Sequence, residues 1–390
     1  MGFLSSIGRA RLKKAHSIED LRAAARRTLP RMVFDYADGG AQSESTMRQN
    51  RAAFERHRLL SRAPVDVSGR SMATTLFGKP LAMPLIIGPT GYASAFWPRG
   101  DLALAGGAAK AGIPFVVSNG ANSPLPDIAR AAEGKAWLQV YIAHDKQVTL
   151  DLIRDAKALG FDTLEVTVDT ALPGRRVRDI RNGFTVPYSW TAGKVLDVLR
   201  HPDWMLRALP HGAPRPGLMP MEQGRSWATV SEFVRSQINP AIGWDDLKWL
   251  RDRWDGTLIV KGLLDPAQVK PAVEAGYDGI VISNHGGRQL DGAVSTLDLL
   301  PEFAAAAQGR IALLLDSGVR TGTDIVKAVA LGASAVQVGR ATLYGLSVAG
   351  QAGVDHALGI FRTELDMAMA LVGLRSLEEA SPDIIRIRQD

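Results

Sequence analysis

The stretch TLIVKGLLDPAQVKPAVEAGYDGIVISN, residues 257–284, contains one full unit of a repeating plan. An apolar run (257–262) leads into a helical stretch (266–275), a glycine within EAGYDG stops that helix, and a second apolar run (278–284) follows. Such runs are apolar throughout rather than alternating, as strands must be when covered on both faces. The same plan extends in both directions. Upstream lie the runs 84–88, 113–118, 136–142 and 163–169, and downstream 311–318 and 334–340. Helical stretches at 101–111, 148–159 and 322–331 separate several of them, and KAGIP, ALGF and ALGASA supply further helix-stopping glycines. Eight strands joined by helical crossovers predict an α/β fold, a closed (β/α)8 TIM barrel.

Two parts fall outside the repeat. Residues 1–83 form an expected N-terminal helical extension, with a helical layer at 17–60 that carries FDYADGG. The barrel unit, 84–390, includes an over-long connection after strand 4, residues 170–256. Helices are expected in it near 231–238 and 244–254, with a Pro- and Trp-bearing stretch over 187–224. Connections of this length usually cover a site or make an outside contact. Trp190, Trp204, Met205, Leu206, Met219 and Met221 beside Lys194, Arg200, Arg207 and Arg215 suit a membrane interface, and Pro202 breaks any long amphipathic helix there.

Composition narrows the chemistry. An apolar fraction of 46% with 22% charged residues is that of a packed globular chain. No apolar run is long enough to span a bilayer and no secretory signal opens the chain, so an intracellular location is expected, cytoplasmic or peripheral on the cytoplasmic face of the inner membrane. The absence of cysteine excludes disulfides, thiolate metal sites and cysteine nucleophiles, and no metal is expected. Residues 1–31 hold eight Lys/Arg against Glu19 and Asp20, which accounts for the whole net charge of +6. No nucleic-acid recognition motif accompanies that basic terminus, so no nucleic-acid partner is expected.

In a barrel of this kind the site lies at the carboxyl ends of the strands. Those ends carry Pro89, Thr90 and Gly91; Ser118; Gln139 and Tyr141; Thr167 and Asp169; Lys261; Ser283 and His285; Asp316 and Gly318; and Gly339 and Arg340. Gln139 and Thr167 also fit as hydrogen-bonding groups of the barrel interior, and Asp169 as a cap. Lys261 ends an apolar strand, where an ammonium group needs an anionic partner. DSGVR after strand 7, with Arg320, and GR after strand 8 resemble a phosphate cradle. His285 fits a structural histidine and Arg288 a surface ion pair, yet together at a strand end they also make a general base beside a carboxylate clamp, as oxidation of a 2-hydroxy acid requires.

SNHGGRQLD, with VKG upstream and LLDSGVRTGTDIVKAVALGA and VGRATLYGL downstream, resembles the FMN-dependent 2-hydroxy-acid dehydrogenase and oxidase family. FDYADGG, GPTG, LQVY, TVDTALPGRRVRDIRN and GVDHAL extend the resemblance over nearly the whole chain. It implies FMN as cofactor, His285 as base, Asp169 stabilising the imidazolium, and Lys261 facing the N1 and C2 carbonyl edge of the flavin. Arg176 and Arg288 would clamp the substrate carboxylate, with Tyr36 and Tyr141 on its oxygens. Pro89, Thr90, Gly91, Ser118, Gln139, Thr167 and Ser283 would line the isoalloxazine ring, Asp316 the ribityl chain, and Gly318, Arg320, Gly339 and Arg340 the phosphate. Within the family the resemblance is strongest to the mandelate-oxidising branch, then to the respiratory lactate-oxidising one, and it implies a homotetramer. Gly120 stands where short-chain glycolate enzymes carry tryptophan, implying room for an aryl substrate. Gly91 stands where oxidases often carry alanine, implying a dehydrogenase with a quinone-type acceptor. The alternatives are an oxygen-using oxidase of the same family and, more distantly, a non-redox barrel for a phosphorylated ligand.

Overall fold

The computed structural model describes residues 8–185, 188–218 and 238–388. Eight parallel strands close into a barrel: β1 (Leu85–Ile87), β2 (Phe115–Val117), β3 (Ala136–Val140), β4 (Thr163–Thr167), β5 (Thr257–Leu263), β6 (Gly279–Ile282), β7 (Ala312–Leu315) and β8 (Ala335–Val338). Closure is made where Val336 and Gln337 of β8 pair with Leu85 and Ile86 of β1. Each strand lies within one of the eight apolar runs except β5, which runs one residue past its own. The (β/α)8 expectation holds.

Alternate residues of each strand point inward. Ile86, Val116, Trp137, Ile259, Val281, Leu314 and Ala335 fill the lower barrel, and Leu76, Phe77 and Leu81 close it from beneath. Those three come from a two-stranded hairpin, Thr74–Leu76 with Lys79–Leu81, so the extension before β1 is not helical throughout. Phe77 and Gly78 form its turn with φ of 50° and 75°. The left-handed cost at Phe77 is offset by packing its ring against Trp137, 6.0 Å between centroids.

The N-terminal layer consists of α1 (Ile18–Thr28), α2 (Arg31–Asp38) and α3 (Ser45–Arg56). A reciprocal Ser17/Asp20 capping box starts α1, and Ile18, Leu21, Ala25 and Thr28 form its buried stripe. The layer is clamped to the loop after β6. Asn50 and Asn284 exchange amide hydrogen bonds of 2.9 and 2.7 Å, while Asp291 accepts from Ser43, Ser45 and the Thr46 amide.

In the connection after β4, the described residues 188–218 contain helices Ala192–Leu199 and Pro202–Ala208. Pro202 occupies the first position of the second helix, where its missing N–H costs nothing. Trp204, expected at a membrane surface, is instead 1% exposed, and its indole donates to the Ala95 carbonyl at 2.7 Å. Trp190, Val195, Leu196, Leu199 and Leu206 remain exposed. The expected helix at 244–254 is present as Trp244–Arg251, whereas that at 231–238, Met219 and Met221 lie wholly or largely outside the described residues. Among the described residues no helix is long and apolar enough to cross a membrane.

Candidate active site

All the expected site residues except Asp169 and Ser283 line one cavity of about 420 Å³ at the carboxyl ends of the strands. The two exceptions touch residues that do line it. His285 Nδ1 lies 3.0 and 3.2 Å from the two Asp169 oxygens, and Ser283 Oγ is 2.7 Å from Lys261 Nζ. Because Asp169 engages Nδ1, Nε2 is the ring nitrogen left for a substrate proton. Burial disfavours the Asp169 carboxylate, but His285 and Lys261 outweigh that and hold its pKa below the ordinary value.

The flexible HGG sequence has a structural reason. His285, Gly286 and Gly287 all take left-handed φ values, 57°, 65° and 72°, which turn the chain back over the barrel. A Cβ on Gly286 would lie 2.4 Å from Arg340 Nη1, and one on Gly287 would lie 2.7 Å from the Met47 amide nitrogen. Only His285 adopts this conformation with a side chain, a local cost of about 1–2 kcal/mol. Hydrogen bonds from the His285 amide to Ser283 Oγ (3.0 Å) and from the Gly287 amide to Asn284 Oδ1 (3.0 Å) hold it there.

Arg288 donates to the carbonyls of Tyr36 (2.6 Å) and Gly39 (2.9 Å) and lies over the Tyr36 ring at 5.0 Å. Burial, together with Arg176 and Arg340, pushes its pKa down to about 10. Among the described residues neither Arg288 nor Arg176 forms an ion pair with a carboxylate, and Arg176 Nε is buried without a partner. Two such guanidinium groups beside His285 fit an anionic ligand. Burial also raises Tyr141, with help from Asp169, to about 12, so it stays a neutral donor.

Lys261 is 4% exposed and pairs with Asp316 at 2.9 Å. Burial opposes its charge, but Asp316 and then Asp169 hold the ammonium above its ordinary pKa. Arg340 lines the cavity, and its guanidinium also donates to the carbonyls of Ala37, Gly286 and Gly39 at 2.8–2.9 Å. The backbone at the start of helix Arg340–Ala349 adds N–H donors that suit an anion at the same place. Arg320 donates to its neighbour's carbonyl at 2.8 Å and lines the same end of the cavity.

Two inward residues were passed over in the sequence, Glu165 of β4 and Gln337 of β8. Their signal was a polar side chain within an apolar run, at the same period of two as Thr167 and Asp169. Gln289 was also missed; it ties the loops together by donating to the Asp169 carbonyl (3.0 Å) and accepting from the Gly174 amide (3.0 Å).

The model for FMN-dependent dehydrogenases matches residues 25–387. The chain belongs to the FMN-dependent dehydrogenase family. This FMN-dependent dehydrogenase is 42% identical to (S)-mandelate dehydrogenase of Pseudomonas putida over 95% of its own length and 93% of the relative's. It is also 42% identical to an L-lactate dehydrogenase of Chromohalobacter salexigens, over 93% of each chain. A solved structure described as monotopic membrane protein (S)-mandelate dehydrogenase superposes with a TM-score of 0.93 at 41% identity, covering 96% of this chain and 100% of the other. A mandelate oxidase structure gives 0.82 at 34% identity, covering 96% and 98%.

The residues present fit FMN. Thr90 Oγ1, Gln139 Nε2 and Thr167 Oγ1 are buried polar atoms without a protein partner, all on residues of the cavity wall. Buried polar atoms need partners, and a ring with polar edges supplies them. When bound, FMN supplies the two-electron acceptor chemistry of the site.

Proposed function

We propose that this enzyme oxidises (S)-2-hydroxy acids with an aryl or similarly bulky side chain, of the mandelate type, to 2-oxo acids. The observation that carries this reading is the His285–Asp169 pair beside Arg288 and Arg176, two guanidinium groups without carboxylate partners among the described residues. Arg288 and Arg176 bind the substrate carboxylate, Tyr36 and Tyr141 contact its oxygens, and His285 Nε2 accepts the substrate proton. Asp169 then balances the imidazolium charge.

Gly120 supports the aryl pocket. It lines the cavity beside Gly91, and a Cβ on it would come no closer than 3.4 Å to Gly91 Cα, an ordinary contact. Glycine there leaves space that the local backbone does not demand. The equally similar lactate dehydrogenase favours L-lactate as the second reading. Anaerobic mixing with (S)-mandelate is expected to bleach the flavin absorption rapidly, and L-lactate slowly. Gly120→Trp should cut the mandelate preference by at least about tenfold, the scale on which filling a pocket discriminates. Bleaching by lactate alone in the wild-type enzyme would remove the aryl reading.

Electrons pass to a quinone-type acceptor at a membrane surface in this reading. Val195, Leu196 and Leu199 are 45%, 50% and 57% exposed on helix Ala192–Leu199, beside Trp190, and the solved relative is described as monotopic. Leu196→Glu with Leu199→Glu should lower binding to anionic vesicles by about tenfold or more, since each leucine buried in lipid contributes up to about 1.5–3 kcal/mol. Unchanged co-sedimentation would rule this face out.

A further inference from the structure

Glu165 lies inside the barrel, 0% exposed, and the chemistry above does not use it. It sits two residues below Thr167 and four below Asp169 on the inward face of β4, opposite Ile259 in β5 and one inward position below Lys261. Gln337, 2% exposed, donates from Nε2 to Glu165 Oε2. Gln337 also lines the cavity floor, packed so tightly that a Cβ on Gly88 would lie 3.2 Å from its Oε1. This pair is therefore the link between the barrel interior and the flavin site.

Its hydrogen bonding is incomplete in a specific way. Glu165 Oε1 and Gln337 Oε1 are both buried acceptors without a partner among the described residues. A carboxylate and an amide joined by one N–H bond leave two such acceptors, and among the described residues neither receives a hydrogen bond; the nearby Gln139, opposite Glu165 on β3, does not bond to either. One proton on Glu165 Oε1 resolves both, because a neutral carboxyl and a primary amide form a two-bond pair.

We propose that Glu165 carries a proton at neutral pH, held by Gln337, and that releasing it places a negative charge beneath Lys261 that lowers the electron affinity of bound FMN. Glu165 thus acts through Lys261 and is a tuning residue rather than one that touches substrate. The groups facing it are Gln337 on β8, Lys261 on β5, Asp316 after β7 and Asp169 after β4. Burial pushes the carboxyl up to about 7; Lys261 and Gln337 oppose this, and Asp316 and Asp169 reinforce it. FMN reduction adds negative charge to the site, so an ionised Glu165 opposes it and a neutral one does not.

The test is the midpoint potential of bound FMN in the holoenzyme from pH 5.5 to 8.5, measured against redox dyes without substrate. It rests on FMN binding alone and is independent of which hydroxy acid is oxidised. The wild-type curve should bend near pH 7, where the carboxyl titrates. Glu165→Gln should abolish that bend, leaving the potential unchanged at the acid end and raised at the alkaline end. A wild-type curve without the bend, or a variant that keeps it, would overturn the proposal. If Glu165→Gln loses FMN, Glu165→Leu combined with Gln337→Met removes both partners and keeps an apolar fill, a change that is close to neutral for folding. The same loss of the bend is then expected, and its persistence overturns the proposal equally.

Discussion

Replacing His285 by glutamine is expected to leave FMN bound and to slow flavin reduction by substrate by about 10²–10⁴-fold or more, the usual loss when a general base is removed. Glutamine keeps a polar side chain of similar length but accepts no proton. The retained cofactor follows from geometry: the cavity-lining residues proposed to face FMN, Thr90, Gln139, Thr167 and Lys261, come from other strands and make no hydrogen bond to the His285 ring. Stopped-flow reduction under anaerobic conditions reads the effect directly, and near-normal reduction would remove His285 as the base. The variant must also accept the left-handed backbone at position 285, where φ is 57°. Retained flavin and an unchanged unfolding midpoint would show that it does.

Lys261→Met should have the largest effect on the protein itself. Its ammonium balances Asp316 at 2.9 Å and lies close enough to Asp169 to favour that carboxylate. Removing one member of a buried pair strands the others, at a cost of about 3–5 kcal/mol. The sign with pH follows from the carboxylates. Lys261 helps hold the Asp169 pKa below its ordinary value, so without it that pKa rises, and the deficit is greatest above the raised value and shrinks as falling pH protonates the carboxylate. Denaturant unfolding at pH 8 and pH 5.5 should therefore show a larger loss at the higher pH, with FMN retention reduced. Asp316→Asn in the same chain should recover part of the stability. Wild-type stability in the single variant would mean that the charge is balanced elsewhere.

Much of this was legible in the chain. A barrel sends its inward positions alternately along each strand, so a polar residue at the carboxyl end of an apolar run is exposed to the site almost by construction; Gln139, Lys261 and His285 were found in this way. Glu165 and Gln337 obey the same alternation one layer lower, but there a polar residue has no distinctive end-of-run signal. Arg340 was legible as a site residue, whereas its bonds to the carbonyls of Ala37 and Gly39 were not, because nothing local says which chain segments lie beside its guanidinium. The hairpin beneath the barrel was hidden by Pro80, which weakens a strand reading but suits a short strand outside the barrel ladder. Trp204 shows the same limit, since exposed and buried tryptophans read identically until a partner such as the Ala95 carbonyl is placed.

The bonds from Arg288 to the Tyr36 carbonyl and from Arg340 to the Gly39 carbonyl join residues 252 and 301 positions apart. During synthesis, at about 5–20 residues per second, the N-terminal layer therefore leaves the ribosome roughly 15–60 s before the last of its partners exists. Throughout that interval the apolar stripe of α1 and the aromatic face of α2 have no barrel to cover them. The nascent chain must be shielded during this wait, and catalytic competence is the final event of its biogenesis rather than a property of any earlier domain.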